Sequence, residues 1–380
     1  MIFSKKIVNY IYVVILLLLS GNPIVTVSSY IREIYLFTAV VLFIYDTYKN
    51  KLVLQKKLLV YVMPFIFLST CQLIILDVTY NSAIFLLLKI YIGYTILKNA
   101  GRDFMTDYSN VMCFIAFISI PLYLYNSIYG IIPGKPISDI GVSIGIYTQL
   151  FDKTSGFIGR NSGMFWEPGA FQGYLNIAIS YTLLLHALPR RRMKLMILIV
   201  ALLTTKSTTG YLVFFVISFY YLFALSKANL SKRFLFLSIF MIIASYVLFT
   251  SDFLHDKLYE EFASDTYGYK EGRIYDYIRF KSLIRDNFLF GLSDQVATLA
   301  YTGNGFLSFL LYYGIFGIMS YCFLLFYNYL QQTSVMITVY LTLVVLLSLQ
   351  GEGFIYYPMY LALPLLNVDN RLNTYHNRIH

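Results

Sequence analysis

Apolar runs long enough to approach a bilayer span recur along almost the whole chain, separated by short polar stretches. Twelve segments read this way, at about 7–20, 31–48, 58–76, 82–98, 109–129, 168–188, 193–208, 209–226, 234–250, 303–328, 334–349 and 353–367. A spanning helix needs about 17–25 residues. The first, seventh and last segments are marginal by that measure, so the expected count is 10–12. Two long polar stretches, about 130–167 and 251–302, interrupt the rhythm. The order is five spans, a loop, four spans, a loop, three spans, without an internal repeat. The predicted fold is an all-α polytopic membrane protein of about 12 transmembrane helices, one membrane domain over residues 1–380.

Composition excludes a water-soluble reading. The chain is 58% hydrophobic and 13% charged, with a mean hydropathy of +0.67. Soluble domains carry about 25% charged residues, so lipid must be the solvent for most of this surface. Lys5 and Lys6 before the first apolar run resemble a signal peptide. No small-residue cleavage site follows, and Gly21-Asn22-Pro23 reads as a turn after a retained helix.

Charge sets the orientation. With both termini inside, 17 of the 29 basic residues fall in cytoplasmic positions, including Lys5, Lys6, Lys49, Lys51, Lys56, Lys57, Arg190–Arg192 and Lys194. The short outer loops then hold only Arg32 and Lys206. The two long stretches, 130–167 and 251–302, become large external loops, since long loops translocate largely regardless of charge. They carry 12 of the 19 acidic residues, so the chemistry belongs on that face. The same rule accounts for the net charge of +10, and no nucleic-acid partner is expected.

Metal chemistry is not expected either. Cys71, Cys113 and Cys322 lie inside apolar runs, and His186, His255, His376 and His380 form no ligand set. No cofactor is called for.

Five segments carry candidate chemistry. The first loop ends in Arg160-Asn-Ser-Gly-Met-Phe-Trp166-Glu167-Pro168-Gly169. Proline suits a first helical turn and the lone Trp suits a membrane interface, which leaves Arg160 and Glu167 as the functional candidates. Thr204-Thr-Lys206-Ser207-Thr-Thr-Gly210 opens the eighth span, where helix N–H groups, hydroxyls and Lys206 can hold an anion; a capped turn explains it equally well. Thr302-Gly-Asn304-Gly305 opens the tenth span as another such terminus, and the turn Gln350-Gly-Glu352-Gly adds one carboxylate. Lys89 sits inside the fourth span, where a central Lys costs about 2.5–3.5 kcal/mol and demands a partner in the bundle or a ligand.

The fifth segment is Glu271-Gly272-Arg273 through Asn287. At about 100° per residue, Ile274, Tyr277, Ile278, Phe280 and Ile284 make one apolar arc. Arg273, Lys281 and Arg285 fall inside that arc, whereas Asp276 and Arg279 fall outside it. A helix packed on this arc would aim three cations inward, where they need anionic partners.

Three of these segments together resemble the O-antigen polymerase (Wzy-type) and O-antigen ligase superfamily. They are Arg160 to Gly169; Ser207-Thr-Thr-Gly210; and Gly272-Arg273 through Asn287-Phe-Leu-Phe-Gly291, with Gly303-Asn304-Gly305 and Tyr313-Gly-Ile-Phe-Gly317. The resemblance covers residues 160–317. It implies a fold similar to metal-independent membrane glycosyltransferases. It also implies joining of undecaprenyl-diphosphate-linked oligosaccharide repeat units on the outer face of the bacterial plasma membrane, with a flippase and a chain-length regulator as partners. Arg273, Glu167 and Arg160 are then the catalytic candidates; Arg285, Lys281, Lys206, Ser207, Asn304 and Lys89 are the diphosphate- or glycan-binding ones. Ligases usually carry His just before the Asn of the tenth span, where Gly303 stands here, which favours polymerase. The alternatives are a ligase, a flippase or other transporter, and a membrane acyltransferase. A transporter predicts repeat symmetry and charges in several spans. An acyltransferase wants a membrane His, and His186 lies at the cytoplasmic end.

Overall fold

The computed structural model describes residues 5–50, 56–76, 80–137, 141–150, 159–225, 273–293 and 302–368, apart from 27, 29 and 131, with isolated positions between 229 and 238. The predicted ninth span therefore lies almost wholly outside the described residues, as do the chain's last twelve positions and most of the second long loop.

Helices dominate, as the apolar runs require. In chain order they are α1 Lys5–Gly21, α2 Pro23–Thr26, α3 Ile31–Asn50, α4 Lys56–Leu76, α5 Tyr80–Ala100, α6 Phe104–Tyr129, α7 Pro168–Leu184, α8 Arg191–Thr204, α9 Thr208–Tyr220, α10 Arg273–Asp286, α11 Gly305–Leu330, α12 Val335–Leu349 and α13 Pro358–Ala362. Among the described residues, four helical stretches are long and apolar enough to cross a membrane: 56–76, 81–129, 208–225 and 305–330. The stretch 81–129 joins α5 and α6 through a single 3-10 turn at Gly101–Asp103. The shorter α12 is apolar throughout.

α7 is the central post. All its side chains from Ala170 to Leu184 are buried, and α6, α8, α9 and α12 pack around it. Ala170, Gly173, Ala178 and Ser180 keep it thin enough for that enclosure. A second layer, α1, α3, α4, α5 and α11, closes the other side. α1 belongs to the bundle: Val13, Leu16 and Leu17 are fully buried against it. The turn after α1 is tied down by Asn22, whose amide donates to the carbonyls of Gly145 and Met164 and whose Oδ1 accepts from the Ile24 N–H.

Several polar groups inside the bundle meet partners, which lowers the cost of holding them away from water. Lys98 pairs with Asp46 at 2.9 Å, and Asn9 donates to Asp107 across α1 and α6. Lys57 donates to the Leu365 carbonyl.

Three features depart from the sequence reading. The first long loop is not purely irregular: β1 Lys135–Ile137, β2 Gly141–Ser143 and β3 Thr148–Leu150 form an antiparallel sheet in that order. Ser143 pairs with both Lys135 and Thr148, which fixes the register. Three-residue strands are too short to show alternation. The segment 353–367 is not one helix but a 3-10 turn, α13 and a second 3-10 turn at Leu363–Leu365; Pro358 starts α13 and Pro364 lies in the first positions of the second turn, since proline cannot donate to the turn before it. Finally, α11 breaks at Gly314, whose φ of 62° and ψ of −174° are non-helical.

That break receives the chain segment following α10. Leu292 N–H donates to Leu311 O and Ser293 N–H to Tyr312 O, while the N–H groups of Ile315 and Phe316 donate to the carbonyls of Phe288 and Leu289. Gln72 of α4 donates from one amide nitrogen to Phe290 O (2.6 Å) and Tyr312 O (2.7 Å). The backbone groups released by the kink are thus satisfied by another part of the chain.

Candidate functional site

The Arg160–Gly169 segment is held by its own backbone and by buried polar side chains. Arg160 is only 5% exposed, and its Nε donates to the Thr205 carbonyl at 2.9 Å. Asn161 donates to the hydroxyls of Ser119 and Thr204 and accepts from the Gly163 N–H. The Asn161 N–H donates to Thr204 O, and the Trp166 N–H to Gly21 O. Phe165 stacks on Tyr174 at 4.4 Å, and the Trp166 ring lies 4.8 Å from that of Tyr357. The segment therefore clamps the α1–α2 turn to the α8–α9 turn. Its end, Glu167, takes the N-cap position of α7 in extended conformation, with Pro168 next. The Glu167 carbonyl accepts from Phe171, but its carboxylate does not cap the helix.

That carboxylate lies over Gly169 together with a second one. A Cβ built on Gly169 would stand 2.9 Å from Glu167 Oε1 and 2.8 Å from Glu352 Oε1. Glu352 is 9% exposed. It belongs to the turn after α12, which the sequence marked as a lone carboxylate without a committed role. Nothing in the sequence places it beside Glu167, 185 positions earlier; only the packing of α12 on α7 does.

The same turn touches the start of α11. A Cβ on Gly305 would overlap the Glu352 and Leu349 carbonyl oxygens. On its other side, Gln172 of α7 packs against Gly210 of α9 and, through its amide nitrogen, against Gly351. Gln172 is fully buried, and that nitrogen has no hydrogen-bond partner among the described residues. The N-terminal turns of α7, α9 and α11 thus meet around residues 350–353. Each presents first-turn N–H groups and the positive end of a helix dipole.

The capping residues are partly spent on their own helices. Ser207 is buried and accepts from the Gly210 N–H; Asn304 Oδ1 accepts from Phe306 and Leu307 N–H. Lys206 is exposed, with a left-handed φ of 48°. Lys89 lies elsewhere in the bundle, its ammonium 5.8 Å from the Tyr35 ring, a cation–π contact that offsets part of its burial cost.

α10 runs alongside the first half of α11. Asp276 accepts from the Thr302 hydroxyl at 2.6 Å. Phe280, 2% exposed, packs with Leu292, Leu307 and Leu311, and Leu283 and Ile284 join them. The buried face is therefore narrower than the projected arc and turned from it. Tyr277 and Ile278 are more than half exposed, and Lys281 and Arg285 are exposed too. The expectation that Lys281 and Arg285 point inward fails, while Asp276, placed outside the arc, faces α11. Arg285 instead pairs with neighbouring Asp286 at 3.2 Å on the surface. In a chain whose surface is largely apolar, apolar side chains stay on the outside as well, so apolar character alone does not mark the inward face. Arg273 opens α10. It stands three, seven and eleven residues before Asp276, Phe280 and Ile284, spacings that place the four positions on one stripe of an ideal helix.

Among the described residues no group of three His, Cys, Asp or Glu side chains is arranged to hold a metal. His186 has a structural partner: Arg191 donates to its Nδ1 at 2.8 Å.

A family model described as O-antigen ligase (Wzy_C) matches residues 193–322. The match begins in α8, takes in α9 and α10, and ends in α11. No curated protein matches the chain. No solved structure matches it either.

Proposed function

We propose that this chain, whose residues 193–322 match a family model described as O-antigen ligase, polymerises undecaprenyl-diphosphate-linked oligosaccharide repeat units on the outer face of the bacterial plasma membrane. The growing chain on its lipid diphosphate is the donor, and the next lipid-linked unit is the acceptor. The observation that carries this reading is the meeting of three helix N-termini with the Glu167 and Glu352 carboxylates around residues 350–353.

The chemistry follows from that juxtaposition. An acceptor hydroxyl attacks the anomeric carbon, the bond from that carbon to the diphosphate oxygen breaks, and its electron pair leaves with the diphosphate. Glu167 takes the hydroxyl proton, with Glu352 beside it. Negative charge grows on the leaving group, where Arg273 and the helix N-termini oppose it. Arg160, buried under the start of α9, adds fixed positive charge behind them. A ligase reading keeps the same donor half and changes only the acceptor; Gly303 in place of the ligase His favours polymerase.

Purified protein supplied with lipid-linked repeat units in the presence of chelator is expected to yield a ladder of chain lengths. Transfer of single units to an added lipid acceptor would make it a ligase. A ladder that needs added magnesium would remove the arginine and helix N-termini as the main diphosphate partners.

The same reading requires both termini and the 190–194 loop in the cytoplasm, and residues 130–167 and 251–302 outside. Cysteine labelling in intact cells should reach position 270 from outside only. Labelling there exclusively from the cytoplasm would invert the site.

A further inference from the structure

At the end of α10 away from Arg273, an open crevice of about 310 Å³ lies between the last turn of α4 and the turn that follows α10. Its volume is at the lower end of the roughly 300–1,000 Å³ typical of small-molecule sites. We propose that it seats the first isoprene units of the polyprenyl tail of the lipid-diphosphate substrate, the rest of the tail lying in the bilayer, with Arg285 on its rim for the head group. This rests on the proposed function and assigns a place to one part of its substrate.

Three observations support the assignment. First, one side of the crevice is apolar and faces outward: Ile75, Phe288 and Leu289 line it opposite Gln72, Asp286 and Asn287, and are 63%, 46% and 60% exposed. On the charge-derived orientation this end of α4 reaches the outer leaflet. Second, the crevice is built rather than incidental. Its back wall is pinned by Gln72, which donates to Phe290 O and Tyr312 O, and by the bonds from Ile315 and Phe316 to the Phe288 and Leu289 carbonyls. Third, the rim carries charge suited to an anionic head group. The Arg285 side chain is 80% exposed, and exposed Lys281 stands one turn before it. The neighbouring acid, Asp286, holds Arg285 in a solvent-exposed pair worth about 0–1 kcal/mol, which a phosphate readily replaces.

A partly apolar slot with the Arg285–Asp286 pair at its mouth fits an amphiphile with one chain and a phosphate head that takes the place of the carboxylate on Arg285. A polyprenyl diphosphate has a single chain, whereas a membrane phospholipid brings two. The stripe of Arg285 and Lys281 also runs along α10 towards Arg273, so a head group leaving the crevice travels towards the helix N-termini. The two cations that do not face α11 thereby gain a role on the face they do present.

The test uses the full chain in nanodiscs, with undecaprenyl diphosphate and dioleoyl phosphatidylglycerol as separate probes and binding read by native mass spectrometry. Ile75→Trp fills the crevice from an already exposed wall, and Arg285→Gln removes the rim charge. Each should weaken undecaprenyl diphosphate binding about tenfold or more, in keeping with loss of a hydrogen bond to a charged group for Arg285, and leave phosphatidylglycerol binding unchanged. Unaltered melting temperatures exclude misfolding, and Leu289→Trp supplies a second blocking variant. Unchanged polyprenyl binding in both blocking variants overturns the proposal. Equal loss of both lipids overturns it as well, because the crevice would then hold ordinary phospholipid. The chain-length ladder separates this from the function itself: a ladder from wild type and from both blocking variants leaves the polymerase reading standing without the crevice. Crevice-dependent binding without any ladder would do the reverse.

Discussion

On the proposed function, Arg273→Ala should stop chain extension, whereas Arg279→Ala should leave long chains. The two arginines stand six residues apart on α10 with the same charge. By spacing on an ideal helix, Arg273 shares one stripe with Asp276, Phe280 and Ile284. Asp276 on that stripe bonds Thr302, two residues before the Asn304 cap. Position 273 lies one turn earlier on the same helix, towards the start of α11, where the proposed reaction would develop negative charge on the leaving diphosphate. Arg279 is exposed, its guanidinium 5.1 Å from the Phe280 ring. Its removal costs at most a cation–π contact of about 0.5–1 kcal/mol at an exposed site. Losing a group that stabilises a developing anion costs about 2.7–4 kcal/mol, or roughly 10²–10³ in rate, by analogy with oxyanion donors. Arg273→Lys should restore activity only in part, because an ammonium cannot offer the two-pronged donor set of a guanidinium. The readout is the chain-length distribution on a gel, at matched protein levels in the membrane. Equal loss in the two alanine variants would mean that the stripe does not set function. Normal chains in Arg273→Ala would take that residue out of the site.

What the sequence could reveal divides along physical lines. Apolar runs mark helices in lipid because the backbone there has to satisfy itself, and α4, α6 and α11 end within a few residues of the predicted limits. The start of α7 was legible from Pro168, and the caps of α9 and α11 from Ser207 and Asn304, because capping is local chemistry. The facing of α10 was not, because Tyr277 and Ile278 are apolar without being inward. A projection that equates apolar with buried assumes water outside. Glu352 was legible as a carboxylate but not as the neighbour of Glu167, since that contact depends on how α12 returns against α7. The Asn287–Gly291 turn and the Tyr313–Gly317 stretch could each be read, but not their union. Backbone hydrogen bonds between distant segments leave no side-chain mark except the glycines that permit them.

Those glycines set the last expectation: Gly314→Ala lowers the melting temperature of the detergent-solubilised protein and removes the ladder with it. Gly314 has φ 62° and ψ −174°, a region open almost only to glycine, where another residue costs about 1–3 kcal/mol. The steric term adds to this. A Cβ on Gly314 would lie 2.4 Å from the Leu289 carbonyl oxygen, and one on Gly291, at φ 68°, would lie 2.6 Å from the Gly314 nitrogen. Both neighbours are backbone, so no side chain can swing away, and forced overpacking costs typically about 1–3 kcal/mol more. Gly291→Ala should therefore resemble Gly314→Ala, and the double variant should lose less than the sum, since either change alone already parts the two segments. Gly303→Ala is the contrast: its Cβ would meet nothing within 4 Å, and its melting temperature should match wild type. The separation of residues 288–293 from α11 can be followed by hydrogen exchange at Ile315 and Phe316, whose N–H groups donate to the Phe288 and Leu289 carbonyls. Wild-type protection at those amides in Gly314→Ala would show that the kink survives without its glycine, and the two motifs would then owe their union to something other than backbone docking.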